Sequence, residues 1–193
     1  MTIYRNFYVK SHGTTDWKHI NLKDLPGSSG RLDIIARCIN AAFWLSGEIR
    51  RDVVFHTILH GKPNPPVYIR LEGEKLRKVS PDERSIAIFL KKALERMDEM
   101  EETSPGIFAS RKSFEELVKE NDDKEFYLLD EEGVPINKIK FKNPFFFLGD
   151  NKDLTEEEKK YLIRKGAKPI SLGKKSYLSS HCITILNWWL DES

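Results

Sequence analysis

The sequence predicts an α/β fold with a largely parallel sheet flanked by helices. Three observations carry that expectation. Strand-like and helix-like segments alternate along the chain, which favours parallel strands joined by helical crossovers. Two segments, Asp52–Leu59 and Pro144–Leu148, are nearly continuous apolar runs, as strands covered on both faces are. In the last third, two strand-like runs end in the glycine-bearing loops Gly149-Asp150 and Leu172-Gly173. That is how an open sheet builds a ligand crevice at the carboxyl ends of its strands.

A length of 193 residues fits a single domain able to bury a full core. Ile3 to Lys10 reads as the first strand, and Leu25-Pro26-Gly27-Ser28-Ser29-Gly30 as a turn-rich loop. A helix follows from Arg31. Leu32, Ile35, Ile39 and Phe43 line one face; Ile34, Cys38, Ala41 and Leu45 line a second. A helix apolar on two sides is buried on two sides, here expected between the sheet and a partner subunit. Asp52–Leu59 is the next strand, and Pro63-Asn64-Pro65-Pro66 a rigid loop. Val67–Leu71 and Leu76–Val79 flank Glu72-Gly73-Glu74 as a hairpin.

Ser80-Pro81-Asp82-Glu83 opens a helix with Ser as N-cap and Pro in the first turn, carrying Ile86, Phe89, Leu90, Ala93, Leu94 and Met97. Thr103-Ser104-Pro105-Gly106 breaks the chain; Phe114–Glu120 is a short helix and Phe126–Leu129 a short strand. Gly133-Val134-Pro135 is a turn into the Phe145 strand. Asp153 to Glu158 caps a helix ending near Gly166, Lys168–Ser171 is the last strand, and an apolar helix from His181 closes the chain.

The glycines lack the G-x-G-x-x-G spacing of a dinucleotide site, and no G-x-x-x-x-G-K-[ST] loop occurs, so the crevice suits another small ligand and an oxidoreductase is disfavoured. No apolar run reaches membrane-spanning length, and the first residues lack a signal-peptide layout. The two cysteines, Cys38 and Cys182, and the five scattered histidines match no metal spacing; a reducing cytoplasm and no metal are expected. Residues 1–80 hold 13 Lys and Arg against 7 Asp and Glu, and residues 81–193 hold 19 against 23, so +6 and −4 lie beneath the net +2. This is either a local polyanion-binding face or chance clustering of solvated charge. Cys182, near a helix start, reads as a small buried residue rather than a nucleophile, and His181 as a helix-end residue rather than a general base.

Phe147-Leu148-Gly149-Asp150, with Ser171-Leu172-Gly173 and Tyr177-Leu178-Ser179-Ser180-His181-Cys182-Ile183, resembles the cofactor loops of SPOUT-class RNA methyltransferases. Gly30-Arg31-Leu32-Asp33-Ile34-Ile35-Ala36-Arg37, followed by Ser46-Gly47-Glu48-Ile49-Arg50-Arg51-Asp52, is similar to the archaeal tRNA pseudouridine-54 N1-methyltransferases. The resemblance spans the chain and implies a SPOUT-type sheet, a C-terminal trefoil knot over roughly residues 120–193, a homodimer, S-adenosylmethionine as cofactor and tRNA as substrate. It implies cofactor contacts from Leu128, Leu129, Gly149, Asp150, Ser171, Leu172, Gly173, Tyr177, Leu178 and Cys182.

Methylation of pseudouridine N1 requires loss of that N–H proton, which a carboxylate in hydrogen-bond reach can accept while arginines stabilise the developing anion. Asp33 with Arg31, then Asp52, are the catalytic candidates, against ion-pairing as the structural alternative. Arg5, Arg37, Arg50 and Arg51 head the residues expected to bind RNA, and Tyr4, Phe7, Tyr8 and Trp17 offer stacking surfaces. The rival readings are a relative acting on small-subunit rRNA and a non-catalytic RNA-binding module.

Overall fold

The computed structural model describes residues 4–193; Ile3, the expected start of the first strand, lies outside them. The chain runs β1 (Arg5–Ser11), a 3-10 turn (Trp17–His19), α1 (Leu25–Ser29), α2 (Leu32–Phe43), the small ribbon β2 (Trp44–Leu45) and β3 (Glu48–Ile49), β4 (Val53–Leu59) and β5 (Val67–Glu72). It continues through α3 (Glu83–Arg96), β6 (Glu102–Ser104), β7 (Ile107–Ser110), α4 (Phe114–Glu120), β8 (Glu125–Pro135), β9 (Pro144–Gly149), α5 (Glu156–Arg164), β10 (Lys168–Ser171) and α6 (Ser179–Glu192).

Eight strands form one sheet in the order β10-β8-β9-β1-β4-β5-β7-β6. The first five are parallel, as expected. From β5 onward the pairing turns antiparallel. The reason is connection length: the loop from His60 to Pro66 is too short for a parallel crossover, which needs a dozen residues or more. The expected hairpin at Glu72-Gly73-Glu74 does not form. The chain turns there so that Leu76 enters the core, and β5 pairs with β4 and β7 instead. Three smaller boundaries also move. Leu25–Ser29 is one helical turn rather than loop. The N-cap of α3 is Asp82, which accepts the Ser85 N–H at 2.8 Å, not Ser80. Gly133-Val134-Pro135 continues β8 beside β10, across an irregularity at Pro169/Ile170.

Two apolar layers sandwich the sheet. One packs α2, α3 and α6 against Phe7, Phe55 and Phe146. The other packs α4 and α5 against Tyr8, Phe145 and Phe147. Alternate residues of β1 and β9 serve opposite layers, which is why Phe7-Tyr8-Val9 and Pro144–Leu148 run apolar without a polar break. The two-sided burial of α2 holds only in part: its second face packs under α6 and α3 of the same chain, which bury Cys38, while Ile34 and Ala41 stay half-buried and Leu45, just beyond the helix, is 39% exposed. Asn187 of α6 locks that packing: its amide donates to the carbonyls of Ala41 and Ala42 at 3.1 and 3.2 Å.

Candidate active site

The carboxyl ends of β8, β9 and β10 open onto a cavity of about 370 Å³. Its apolar wall comes from Leu128, Leu129, Phe147, Leu148, Leu154 and Leu172. Its polar wall comes from Asp130, Glu131, Asp150, Asp153, Lys159 and Lys175, and Tyr177 and Cys182 close it from the start of α6. This is the size and mixed lining of a small-molecule site. Of the residues expected to touch a cofactor, Leu128, Leu129, Gly149, Asp150, Leu172, Gly173, Tyr177 and Cys182 line it. Ser171 does not; its hydroxyl braces the loop, bonding the Gly173 N–H at 3.0 Å and the Gly173 carbonyl at 3.1 Å. Leu178 lines the neighbouring cavity instead.

Gly149 is required by close approach. A Cβ there would lie 2.5 Å from the Cα of Asp153, because the chain folds back on itself immediately after β9. Gly173 is required by conformation, with φ of +121° and open space around it. Buried polar ties hold these loops. Asp150 accepts the His12 N–H at 2.7 Å and lies 2.9 Å from His12 Nδ1, joining the exits of β1 and β9. Lys10, buried in β1, donates to Glu158 at 2.6 Å and so pins the capped start of α5. Burial alone would raise the Glu158 carboxyl; the bonds from Lys10 and Thr155 override it and hold it below its ordinary value. His12 was not legible as a site residue, because its partner lies far away in sequence, and Lys10, one of the cations expected to contact phosphate, is bound to Glu158 instead.

A second cavity, of about 290 Å³, adjoins the first and shares Asp150, Tyr177 and Ser179 with it. Arg31, Ile34 and Arg37 from the start of α2 form its other wall. Arg31 sits in the left-handed region, φ +69°, which costs a non-glycine residue about 1 kcal/mol or more. In that conformation its guanidinium grips Asp33 with both arms, at 2.9 and 3.0 Å. Arg37 bonds the same carboxylate from one helical turn on. Asp33 is buried, and burial pushes its carboxyl up; the bonds and charge of Arg31, then the charge of Arg37, outweigh that and leave it below the ordinary carboxylate range. A carboxylate with both oxygens engaged by guanidiniums is a poor proton acceptor and a good holder of arginines. The side chains of Arg31 and Arg37 remain 43% and 41% exposed, so both can reach a ligand.

The remaining candidates lie elsewhere. In the parallel register, Arg5 pairs with Val53 at the start of the strands, while Lys10 pairs with Gly149 at the cavity. Five residues of strand, roughly 17 Å, separate the two ends. Asp52 is therefore not at the site: it bonds Arg5 at 3.3 Å. Arg5 is buried, and it also bonds Asp191 at 2.8 Å and Asn187 at 3.1 Å. Arg50 takes both oxygens of Asp191, at 2.7 and 2.8 Å, and Arg51 donates to the carbonyls of Gly73 and Leu76. The bonds from Arg50 hold the Asp191 carboxyl below its ordinary value, against burial. These three arginines clamp α6 and the β5 turn to the sheet. Of the four arginines expected to bind RNA, Arg37 lines a cavity, while Arg5, Arg50 and Arg51 carry these intramolecular bonds. Phe7 and Tyr8 are wholly buried, so they are core rather than stacking platforms.

Cys182 lines the cavity as a neutral thiol: burial first, then Glu131, pushes it up to about 11. Replacing it by Ala is expected to leave turnover within about tenfold, since the thiolate is the nucleophilic form. A loss of several hundredfold with normal cofactor affinity would restore a covalent role. No helix among the described residues is long and apolar enough to cross a membrane.

Residues 4–193 match the family described as SAM-dependent RNA methyltransferases. The tRNA (pseudouridine(54)-N(1))-methyltransferase of Methanocaldococcus jannaschii is 45% identical, over 97% of each chain. The protein of the same name from Methanocella arvoryzae is 46% identical, over 97% of this chain and 99% of its own. Among solved structures, Archaeoglobus fulgidus Nep1 bound to S-adenosylhomocysteine superposes with a TM-score of 0.67 at 15% identity, covering 100% of this chain and 98% of that one. That likeness supports the expected SPOUT-type fold. A full-length family match, near relatives covered end to end, and paired cavities at the strand ends together establish that this chain belongs to the family of SAM-dependent RNA methyltransferases.

Proposed function

We propose that this chain methylates N1 of pseudouridine at position 54 in the T-loop of tRNA, as a cytoplasmic homodimer using S-adenosylmethionine. The observation that carries this reading is the pair of adjoining cavities, one fit for the cofactor and one walled by Arg31 and Arg37. The names of the relatives supply the base and its position. The larger cavity fits the cofactor by its chemistry: leucines for an adenine ring, backbone around Gly149 and Gly173 for polar edges, and Asp130 and Glu131 for hydroxyls and positive charge. When bound, S-adenosylmethionine supplies a methyl group activated by its sulfonium.

The chain's own residues do the rest. The target base must leave its stack, and the 290 Å³ cavity accepts it. Arg31 and Arg37 stabilise the negative charge that develops on the ring as N1 loses its proton. Asp33 holds both arginines in place, and the proton passes to water in the open cavity. The trefoil knot belongs to the same reading and rests on the resemblance of the 147–150 and 171–183 segments to the family's cofactor loops. An apolar stripe on and before α6, with Leu178 63% and Trp188 58% exposed, supports the dimer. Sedimentation at micromolar concentration should give two protomers; a monomer would remove the dimer from the proposal.

Pseudouridine carries N1 as a free N–H, whereas in uridine N1 is tied into the glycosidic bond. Methylation assays should therefore label a tRNA with pseudouridine at position 54 and leave the unmodified transcript untouched. Labelling of the uridine transcript would refute the chemistry. Labelling of a small-subunit rRNA fragment in place of tRNA would refute the substrate.

A further inference from the structure

Cations without carboxylate partners gather at the edge of the sheet farthest from the cavities. Along α3, Phe89, Lys92 and Arg96 form one stripe at helical spacing. Arg77 and Lys78, from the turn after β5, stand across from them, and the β6–β7 connection completes an open groove of about 670 Å³. Four cations line it against one carboxylate, Glu102, which already accepts the Gly106 N–H at 3.1 Å; Arg77 and Arg96 donate to the carbonyls of Glu74, Leu76 and Thr103, so Lys78 and Lys92 are the two left for a ligand. Lys78 adopts a left-handed backbone, φ +58°. The Lys92 ammonium lies 5.1 Å from the Phe89 ring, so its stem rests on an aromatic floor. Neither lysine has an ion-pair partner among the described residues.

We propose that this groove docks the phosphate backbone of a base-paired stem of the substrate RNA, at a distance from the methylated base. The identity of the RNA rests on the tRNA reading above; the polyanion chemistry does not. Three arguments point to it. The arginines at the start of the strands are consumed by Asp52, Asp191 and carbonyl groups, so they offer a polyanion little. The cofactor cavity has an acidic wall, with Asp130, Glu131, Asp150 and Asp153 against Lys159 and Lys175, and it repels phosphates toward the α3 side. Five strand spacings, roughly 24 Å, separate β6 from β9. That span exceeds the reach of one splayed base but suits a stem continuing from its loop, read through its backbone. A phosphodiester chain meets such a groove through point contacts with lysine and arginine, without base readout.

The test removes charge from solvent-facing side chains that hold no ion pair. Lys78→Gln/Lys92→Gln should bind full-length tRNA about tenfold more weakly, with the slope of affinity against salt reduced by about 2. S-adenosylmethionine affinity, circular dichroism and kcat at saturating tRNA should be unchanged. The control Lys119→Gln/Lys160→Gln removes the same charge from α4 and α5, on the opposite layer, and should bind as wild type. Unchanged affinity and slope in the groove variant would overturn the proposal. So would an equal loss in the control, or a groove variant that loses affinity for poly-glutamate while keeping that for tRNA. Should the wild-type protein bind tRNA without methylating it, the reading of the activity fails; a tenfold loss in the groove variant would still uphold the groove.

Discussion

Gly149→Val is expected to abolish S-adenosylmethionine binding while leaving the core intact. The added Cβ would sit 2.5 Å from the Cα and 2.7 Å from the carbonyl carbon of Asp153, and backbone atoms cannot swing aside as a side-chain tip can. Either β9 or the 150–154 loop must move, and both wall the cavity. Overpacking of this kind costs roughly 3 kcal/mol, and when expressed in a ligand site that is about a hundredfold or more in affinity. Calorimetry measures the affinity, and circular dichroism checks that the sheet persists; Gly149→Ala, with the same collision and less bulk, keeps the test readable if the valine variant unfolds. Wild-type affinity in a folded Gly149→Val protein would remove the cavity as the cofactor site. Gly173→Val strains a φ of +121° but meets no neighbour, so its effect should be smaller.

Asp33→Asn should lower kcat by about a hundredfold with cofactor affinity unchanged, the scale of losing one preorganised charge contact in a transition state. The loss arises because a neutral amide no longer anchors Arg31 and Arg37, whose bonds to it are charge-assisted. A double-mutant cycle separates this from proton transfer by Asp33. With the two arginines taken together as one arm of the cycle, if Asp33 acts through them, Arg31→Ala/Arg37→Ala/Asp33→Asn is no slower than Arg31→Ala/Arg37→Ala. The pH profile gives a second reading. The Asp33 carboxyl lies below its ordinary range, so it stays ionised as pH falls from 8 to 5, and kcat should show no limb from it in that window. Multiplicative losses in the cycle would make Asp33 the proton acceptor after all; wild-type turnover in Asp33→Asn would reduce it to a structural ion pair.

Much of this protein is legible along the chain. The nearly continuous apolar character of Val53–Leu59, broken by the buried His56 and Thr57, and the unbroken run Pro144–Leu148 follow from strands covered on both faces. The α4 helix, the β10 strand and the Thr155 cap are local matters of spacing and turn chemistry, and they lie where the residues place them. The crevice at the strand ends was legible as well, because glycine loops at strand ends are local features, whereas the residues expected to touch a cofactor there came from the family resemblance.

Partnerships were not. Arg5, Arg50 and Arg51 look in sequence like free cations beside a polyanion, and only folding brings Asp191 from the other end of the chain to neutralise two of them. Asp33 stands two residues from Arg31 and four from Arg37, so their ion pair could be guessed; that both its oxygens would be taken by guanidiniums depends on the left-handed turn at Arg31. The cover of α2 by α6, the His12–Asp150 tie and the basic groove along α3 all join segments distant in sequence. Charge and burial are properties of three-dimensional neighbourhoods. Periodicity reports which face of an element is buried, and only the tertiary structure decides what buries it and which charges remain free.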